Sequence, residues 1–98
     1  MLIREALKNE LPRILVLLKE LDHKADPSPE KARAVWQKLQ RYPDYRIYAA
    51  IMEEEIAGAF SLLIVDNLGH GGAPFAILDN VAVDPRLQGQ GIGKAMIF

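Results

Sequence analysis

The segment running from Ala76 to Ala95, AILDNVAVDPRLQGQGIGKA, constrains the fold more than any other part of the chain. It reads as a buried strand, a turn, a glycine-rich loop and the start of a helix. Asp84-Pro85 closes the strand, because proline cannot donate to a strand ladder. Glycine permits positive φ and removes the Cβ that would hold a ligand away from the backbone. Several amides can then converge on one anion, and a helix N-terminus adds about 0.3–1 kcal/mol of favourable charge interaction. The segment therefore predicts a phosphate-bearing ligand.

The remaining elements follow from periodicity. Leu2 to Leu7 alternates as a short first strand. Asn9 is the expected N-cap of a helix with Pro12 in its first turn and Glu10 matching its dipole. Leu11, Ile14, Leu15, Leu18 and Leu21 recur at helical spacing, so the helix is expected to reach about Leu21. After a polar stretch ending at Pro27, Ser28-Pro29-Glu30 starts a second helix, with Ala32, Val35, Trp36 and Leu39 on its apolar face and Pro43 beyond its end. Tyr45 to Met52 and Ile56 to Val65 are aromatic and β-branched and form an antiparallel hairpin about Glu53-Glu54-Glu55. A glycine-rich loop, Asp66 to Pro74, leads to a strand from Phe75 to Val83. Strand, two helices, three strands and a helix make an α+β (mixed α/β) domain spanning residues 1–98.

Composition removes several classes of function. The 98 residues carry a net charge of −1 with no basic stripe, which argues against nucleic acid and anionic membrane partners. There is no cysteine, so disulfides, thiolate metal sites and a cysteine nucleophile are excluded. The two histidines, His23 and His70, lie far apart in sequence, and no metal site is expected. No apolar run approaches the length of a membrane span, and Met1-Leu2-Ile3 lacks the form of a secretion signal. A cytoplasmic protein is expected.

Three phosphate motifs compete for Gln88-Gly89-Gln90-Gly91-Ile92-Gly93-Lys94. A P-loop requires glycine five residues before Gly93 and Ser or Thr after Lys94, but Gln88 and Ala95 stand there. The dinucleotide fingerprint requires G-x-G-x-x-G early in a βαβ unit, whereas the spacing here is G-x-G-x-G after a hairpin. The pattern Q/R-x-x-G-x-G/A is matched by Gln88, Gly91 and Gly93. A tight strand-to-helix turn that binds nothing is the plain structural alternative.

Leu78 to Ala95 resembles motif A of the GNAT N-acetyltransferase superfamily, and the upstream order of elements is similar to that fold over the whole chain. The resemblance implies acetyl-CoA as co-substrate. Carried over by position, Val81, Ala82 and Val83 would offer backbone to the pantetheine arm. Gln88, Gly89, Gln90, Gly91, Ile92, Gly93 and Lys94 would surround the pyrophosphate. Gln88 stands where many relatives have arginine, which shifts reliance toward backbone amides.

The implied reaction is direct acetyl transfer to a primary amine, whose deprotonation at pH 7 costs about 4.6 kcal/mol for a lysine-like ammonium. Asp79 lies close to where many relatives place a glutamate base. It acts either as a base through water or as a hydrogen-bond acceptor at a strand irregularity. Asn80 is expected to cap a bulge there. His70, and His23 with Asp26 between the first two helices, lie near the expected acceptor groove, but solvated loops explain them more simply. Trp36 and Leu39 read as core residues. The acceptor is a small-molecule or peptide amine of unspecified kind.

The fold implied by the resemblance continues through a longer third helix, a fifth strand and further elements. The chain thus reads as a truncated domain holding one wall of the cofactor cleft and inactive by itself. Its last strand is then an exposed edge that invites a homodimer. A non-catalytic acyl-CoA-binding or dimerisation module is the contrasting expectation.

Overall fold

Among the described residues the periodicities resolve into four strands and three α-helices. The computed structural model describes residues 1–19, 21 and 27–97. Strands β1 (Leu2–Glu5), β2 (Tyr45–Met52), β3 (Glu55–Val65) and β4 (Phe75–Val83) form one antiparallel sheet in the order β1-β2-β3-β4. Helices α1 (Leu11–Leu18) and α2 (Pro29–Leu39) precede the β2–β3 hairpin, and α3 (Ile92–Ile97) follows β4. The α+β expectation holds. No helix among the described residues is long and apolar enough to cross a membrane.

Helices cover both faces of the sheet. Leu11, Ile14 and Leu17 of α1 pack with Ala32 and Trp36 of α2 on Ala49, Ala59 and Ala82. On the other face Met96 of α3 packs with Ala50 and Phe60. Small residues at the sheet centre let the helices approach closely. A Cβ added at Gly58 would lie 2.9 Å from Met96 Sδ and 3.0 Å from the Ala82 carbonyl oxygen. Across the β2–β3 ladder, Tyr48 stacks on Phe60 with ring centroids 5.3 Å apart.

The second helix starts as its sequence predicts: Ser28 Oγ accepts the Lys31 N–H at 3.1 Å, with Pro29 in the first turn. The first helix departs from expectation at both ends. Asn9 lies inside a 3₁₀ turn, Lys8–Glu10, and is not the cap. Glu10 holds the N-cap position without a side-chain bond into the helix; its carboxylate instead accepts the Leu7 N–H at 2.8 Å across the 3₁₀ turn, while Arg4 grips both oxygens at 2.7 and 2.6 Å. The helix stops at Leu18, and the Leu21 N–H returns to the Leu18 carbonyl as a tightened turn. Leu17, absent from the predicted apolar face, is 1% exposed. In a nearly all-apolar run, periodicity cannot choose the buried side.

The β2–β3 connection consists of Glu53 and Glu54, both at positive φ (50° and 67°), between the paired Met52 and Glu55. Positive φ at both central residues is the type I′ pattern that favours Asn-Gly. Replacing Glu54 with glycine is expected to stabilise the chain by about 0.5–1 kcal/mol by removing left-handed strain. The midpoint of urea unfolding measures it; a lower midpoint would contradict this turn geometry.

Candidate functional site

The pairing of β4 with β3 breaks in one place. Asp79 pairs with Ser61 and Ala82 with Ala59, so Asn80 and Val81 together oppose Phe60. This is a β-bulge, and Asn80 takes the left-handed conformation (φ 53°) that asparagine tolerates better than most residues. Asp79 is exposed, and its Oδ1 accepts the Asn80 N–H at 2.8 Å, holding the irregularity in place. The bulge expected at Asn80 is therefore present, with Asp79 as its hydrogen-bonding partner.

Beyond the bulge the ladder resumes, and β4 is the last strand of the sheet. The Asp84 N–H donates to the Ala57 carbonyl at 2.8 Å, and Gly58 pairs with Val83. By antiparallel alternation, the N–H and C=O of Val83 then point away from β3, along the open edge. Gln88 Nε2 donates to that Val83 carbonyl at 3.2 Å. The Gln88 side chain thus lies along the strand edge. Lys94 makes no ion pair among the described residues.

Two of the three loop glycines are required by backbone conformation. Gly89 and Gly91 have φ of 89° and 78°, and a Cβ on either would have nothing within 4 Å. The space beside them is open. Gly93 has ordinary helical backbone, and its Cβ would make an everyday 3.6 Å contact with Val83 Cγ2. Ile92 is buried and anchors α3, so its backbone alone is available to a ligand.

The strand-to-loop junction is locked by an ion cluster that the sequence did not reveal. Asp84, 3% exposed, accepts the Arg86 N–H at 2.9 Å and a bond from Arg86 Nη2 at 2.9 Å. It also accepts from Arg13 Nη2 of α1 at 2.5 Å, and the same nitrogen reaches the Ile56 carbonyl at 2.9 Å. Arg86, then Arg13, hold the Asp84 carboxyl well below the ordinary carboxylate range. A folded pKa below the unfolded one stabilises the protein above the unfolded value and is lost as pH falls toward the folded one. Stability supplied by Asp84 should therefore decline progressively below about pH 4. Thermal unfolding from pH 7 to pH 2 checks this: Asp84→Asn should melt earlier at pH 7, with the difference from wild type shrinking as pH drops. A constant difference would refute the assignment.

On the α1/α2 face a half-open cavity of about 410 Å³ extends from α2 to the bulge. Leu15 and Leu18 of α1, Trp36 and Leu39 of α2 and Ile47 of β2 line it, and Ser61 and Asn80 stand at its β3–β4 end. Trp36 is indeed buried, but it and Leu39 also form cavity wall, which their helical spacing alone could not show. His70 is exposed in a 3₁₀ turn, His70–Gly72, outside the cavity lining. His23 and Asp26 lie outside the described residues. Among the described residues no three His, Cys, Asp or Glu side chains are grouped to hold a metal.

The profile of the acetyltransferase (GNAT) family matches residues 9–97. A solved chain from Agrobacterium tumefaciens, described as a candidate acetyltransferase, superposes with a TM-score of 0.89 at 26% identity, over 99% of this chain and 68% of that one. Glucosamine-6-phosphate N-acetyltransferase from Arabidopsis thaliana shares the fold, with a TM-score of 0.79 at 23% identity over 98% of this chain and 68% of that one. An aminoglycoside acetyltransferase from an uncultured soil metagenomic sample, solved with sisomicin, gives 0.74 at 26% identity over 98% of this chain and 64% of that one. A comparison with functionally curated sequences gave no match.

Proposed function

The chain belongs to the acetyltransferase (GNAT) family, and on that premise we propose that it transfers an acetyl group from acetyl-CoA to a primary amine. The observation that carries this reading is the joint placement of a Val83 N–H turned away from β3 on the outer strand edge and a loop whose positive-φ glycines have open space beside them. The edge suits an extended amide-bearing arm, which can bond to backbone as a neighbouring strand would. The loop suits a pyrophosphate, because unshielded amides approach an anion closely. Val81 and Val83 take the first role, with Ala82 between them paired to Ala59 of β3; Gly89, Gln90, Gly91, Ile92, Gly93 and Lys94 take the second, with Gln88 holding the edge. The cytoplasmic compartment, where acetyl-CoA is made and used, belongs to the same reading.

When bound, acetyl-CoA supplies an activated acyl carbon. The C–N bond to the amine forms as the C–S bond breaks, the sulfur leaves as thiolate, and the proton released from nitrogen balances that charge. Asp79, beside the bulge, accepts that proton through water in this proposal. The exposed β4 edge, with Phe75 47% and Ile77 46% exposed, is proposed to pair with a second copy in the absence of ligand. The chain spans 68% of the length of the Agrobacterium and Arabidopsis relatives, and activity is proposed for the domain with that full length.

A thiol-release assay over an amine panel tests the reaction, run on this chain and on a version extended with the carboxy-terminal third of the Agrobacterium chain. Amine-dependent release by the extended enzyme supports the proposal; release at background for every amine, with acetyl-CoA bound, contradicts it. Asp79→Asn in the active form is expected to lower kcat by about 10²-fold, the low end for loss of a general base. An unchanged kcat and pH profile would leave Asp79 with the bulge alone.

A further inference from the structure

We infer that Arg13 of α1 is a positioning residue for the coenzyme: through Asp84 it holds the end of β4 and the start of the glycine loop in the geometry that receives acetyl-CoA. The inference rests on the acetyltransferase reading and adds to it a residue far outside the glycine motif. Arg13 is poorly placed for its own helix. It stands in the first turn of α1, where the helix dipole disfavours a cation, and that turn carries no acidic side chain. Its side chain is 33% exposed and is directed to the sheet instead.

One nitrogen of the guanidinium, Nη2, donates both to Asp84 Oδ2 at 2.5 Å and to the Ile56 carbonyl at 2.9 Å. Helix α1 is thereby tied to the beginning of β3 and to the residue that follows Val83. The two proposed coenzyme contacts meet at Asp84. Its N–H pairs with the Ala57 carbonyl, which fixes the direction of the Val83 N–H. Its own carbonyl accepts the Leu87 N–H at 2.8 Å and starts the turn that leads to Gly89. Arg86 grips the same carboxylate, but from two residues away and with a side chain 71% exposed. So local a bond sets the shape of the turn, whereas the bond from α1 sets where the turn sits on the domain. A cradle already held in place binds more tightly, because no ordering cost falls on the binding step.

Arg13→Met keeps the apolar stem and removes the donors. Titration calorimetry of this chain with acetyl-CoA should show affinity reduced about tenfold, the scale of one lost hydrogen bond to a charged group. Arg13→Lys, which keeps the charge and a donor, should recover part of that loss. Arg4→Met breaks a comparable ion pair, Arg4–Glu10 at 2.6 Å, beside the opposite edge strand, and should leave affinity unchanged. Hydrogen exchange of the ligand-free protein gives a second reading: Arg13→Met should speed exchange at the Asp84 and Leu87 amides, and Arg4→Met should not. Equal affinities for wild type and Arg13→Met would overturn the inference. An equal loss in Arg4→Met would overturn it too, since the effect would then be one of overall stability. If wild type fails to bind acetyl-CoA while exchange at Asp84 still responds to Arg13→Met, the acetyltransferase reading falls and the coenzyme role with it, and only the tether between α1 and β4 stands.

Discussion

Gly91→Val is expected to weaken acetyl-CoA binding by about 100-fold or more, equivalent to roughly 2.7 kcal/mol or above. Two effects act together. Gly91 has φ of 78°, where a side chain costs about 1–2 kcal/mol and a β-branched one more. Its Cβ direction is also empty of protein atoms within 4 Å, so the added isopropyl group would occupy space proposed for the pyrophosphate. Gly93→Ala is the matched control. Its backbone is ordinary, and its Cβ would only touch Val83 Cγ2 at 3.6 Å. Alanine there should leave binding nearly unchanged. Calorimetric titration of the two variants separates a ligand cradle from a merely tight turn: equal affinities would mean that the loop does not hold the anion.

Leu17→Ala should cost about 2–5 kcal/mol of folding stability, through lost apolar burial and the cavity left behind. Leu17 is 1% exposed and packs in the cluster formed by α1, α2 and the sheet alanines. A domain of this size has about 5–15 kcal/mol in total, so the substitution removes a large share of it. Val16, its neighbour on the same helix, is 52% exposed, and Val16→Ala should shift unfolding by well under 1 kcal/mol. Denaturant unfolding of both variants measures the contrast. Similar losses would mean that α1 is rotated relative to this packing.

These two residues also mark the limits of sequence reading. The glycine loop was legible because its spacing is rigid: three alternate glycines after a proline-closed strand admit few structures. The strand pattern after Pro43 was legible because period-two alternation separates strand from helix. Ser28-Pro29-Glu30 was legible because a cap is a local device. Leu17 was not, since Ile14-Leu15-Val16-Leu17-Leu18 is apolar on every side and only tertiary packing selects the buried face. Nor was the exchange of Asn9 for Glu10 at the first helix, because Glu10 gains its position from Arg4 on β1 as well as from the turn.

The candidate site divides in the same way. The course of the backbone from the β4 strand through the positive-φ turns at Gly89 and Gly91 could be placed from the motif. Contributions that join distant segments could not. Arg13 meets Asp84 across 71 positions of sequence, and no local pattern announces such a pair. The bulge was expected at Asn80, yet the hydrogen bond from its N–H to Asp79 that accompanies the left-handed backbone there was not. The cavity between the helices and the sheet was least legible. Leu15, Leu18, Trp36 and Leu39 look identical to core residues until the helices are set on the sheet.

The central claim is that acetyl-CoA lies along the β4 edge and ends on the glycine loop. Backbone amide chemical shifts of the isotopically labelled protein, followed as coenzyme A is added, test it most directly. The account predicts saturable shifts at Val81 and Val83 and from Gly89 to Lys94, with the β1 edge at Leu2–Glu5 unaffected. Saturable shifts confined to β1 or α2, with the β4 edge and the loop unmoved, would contradict it.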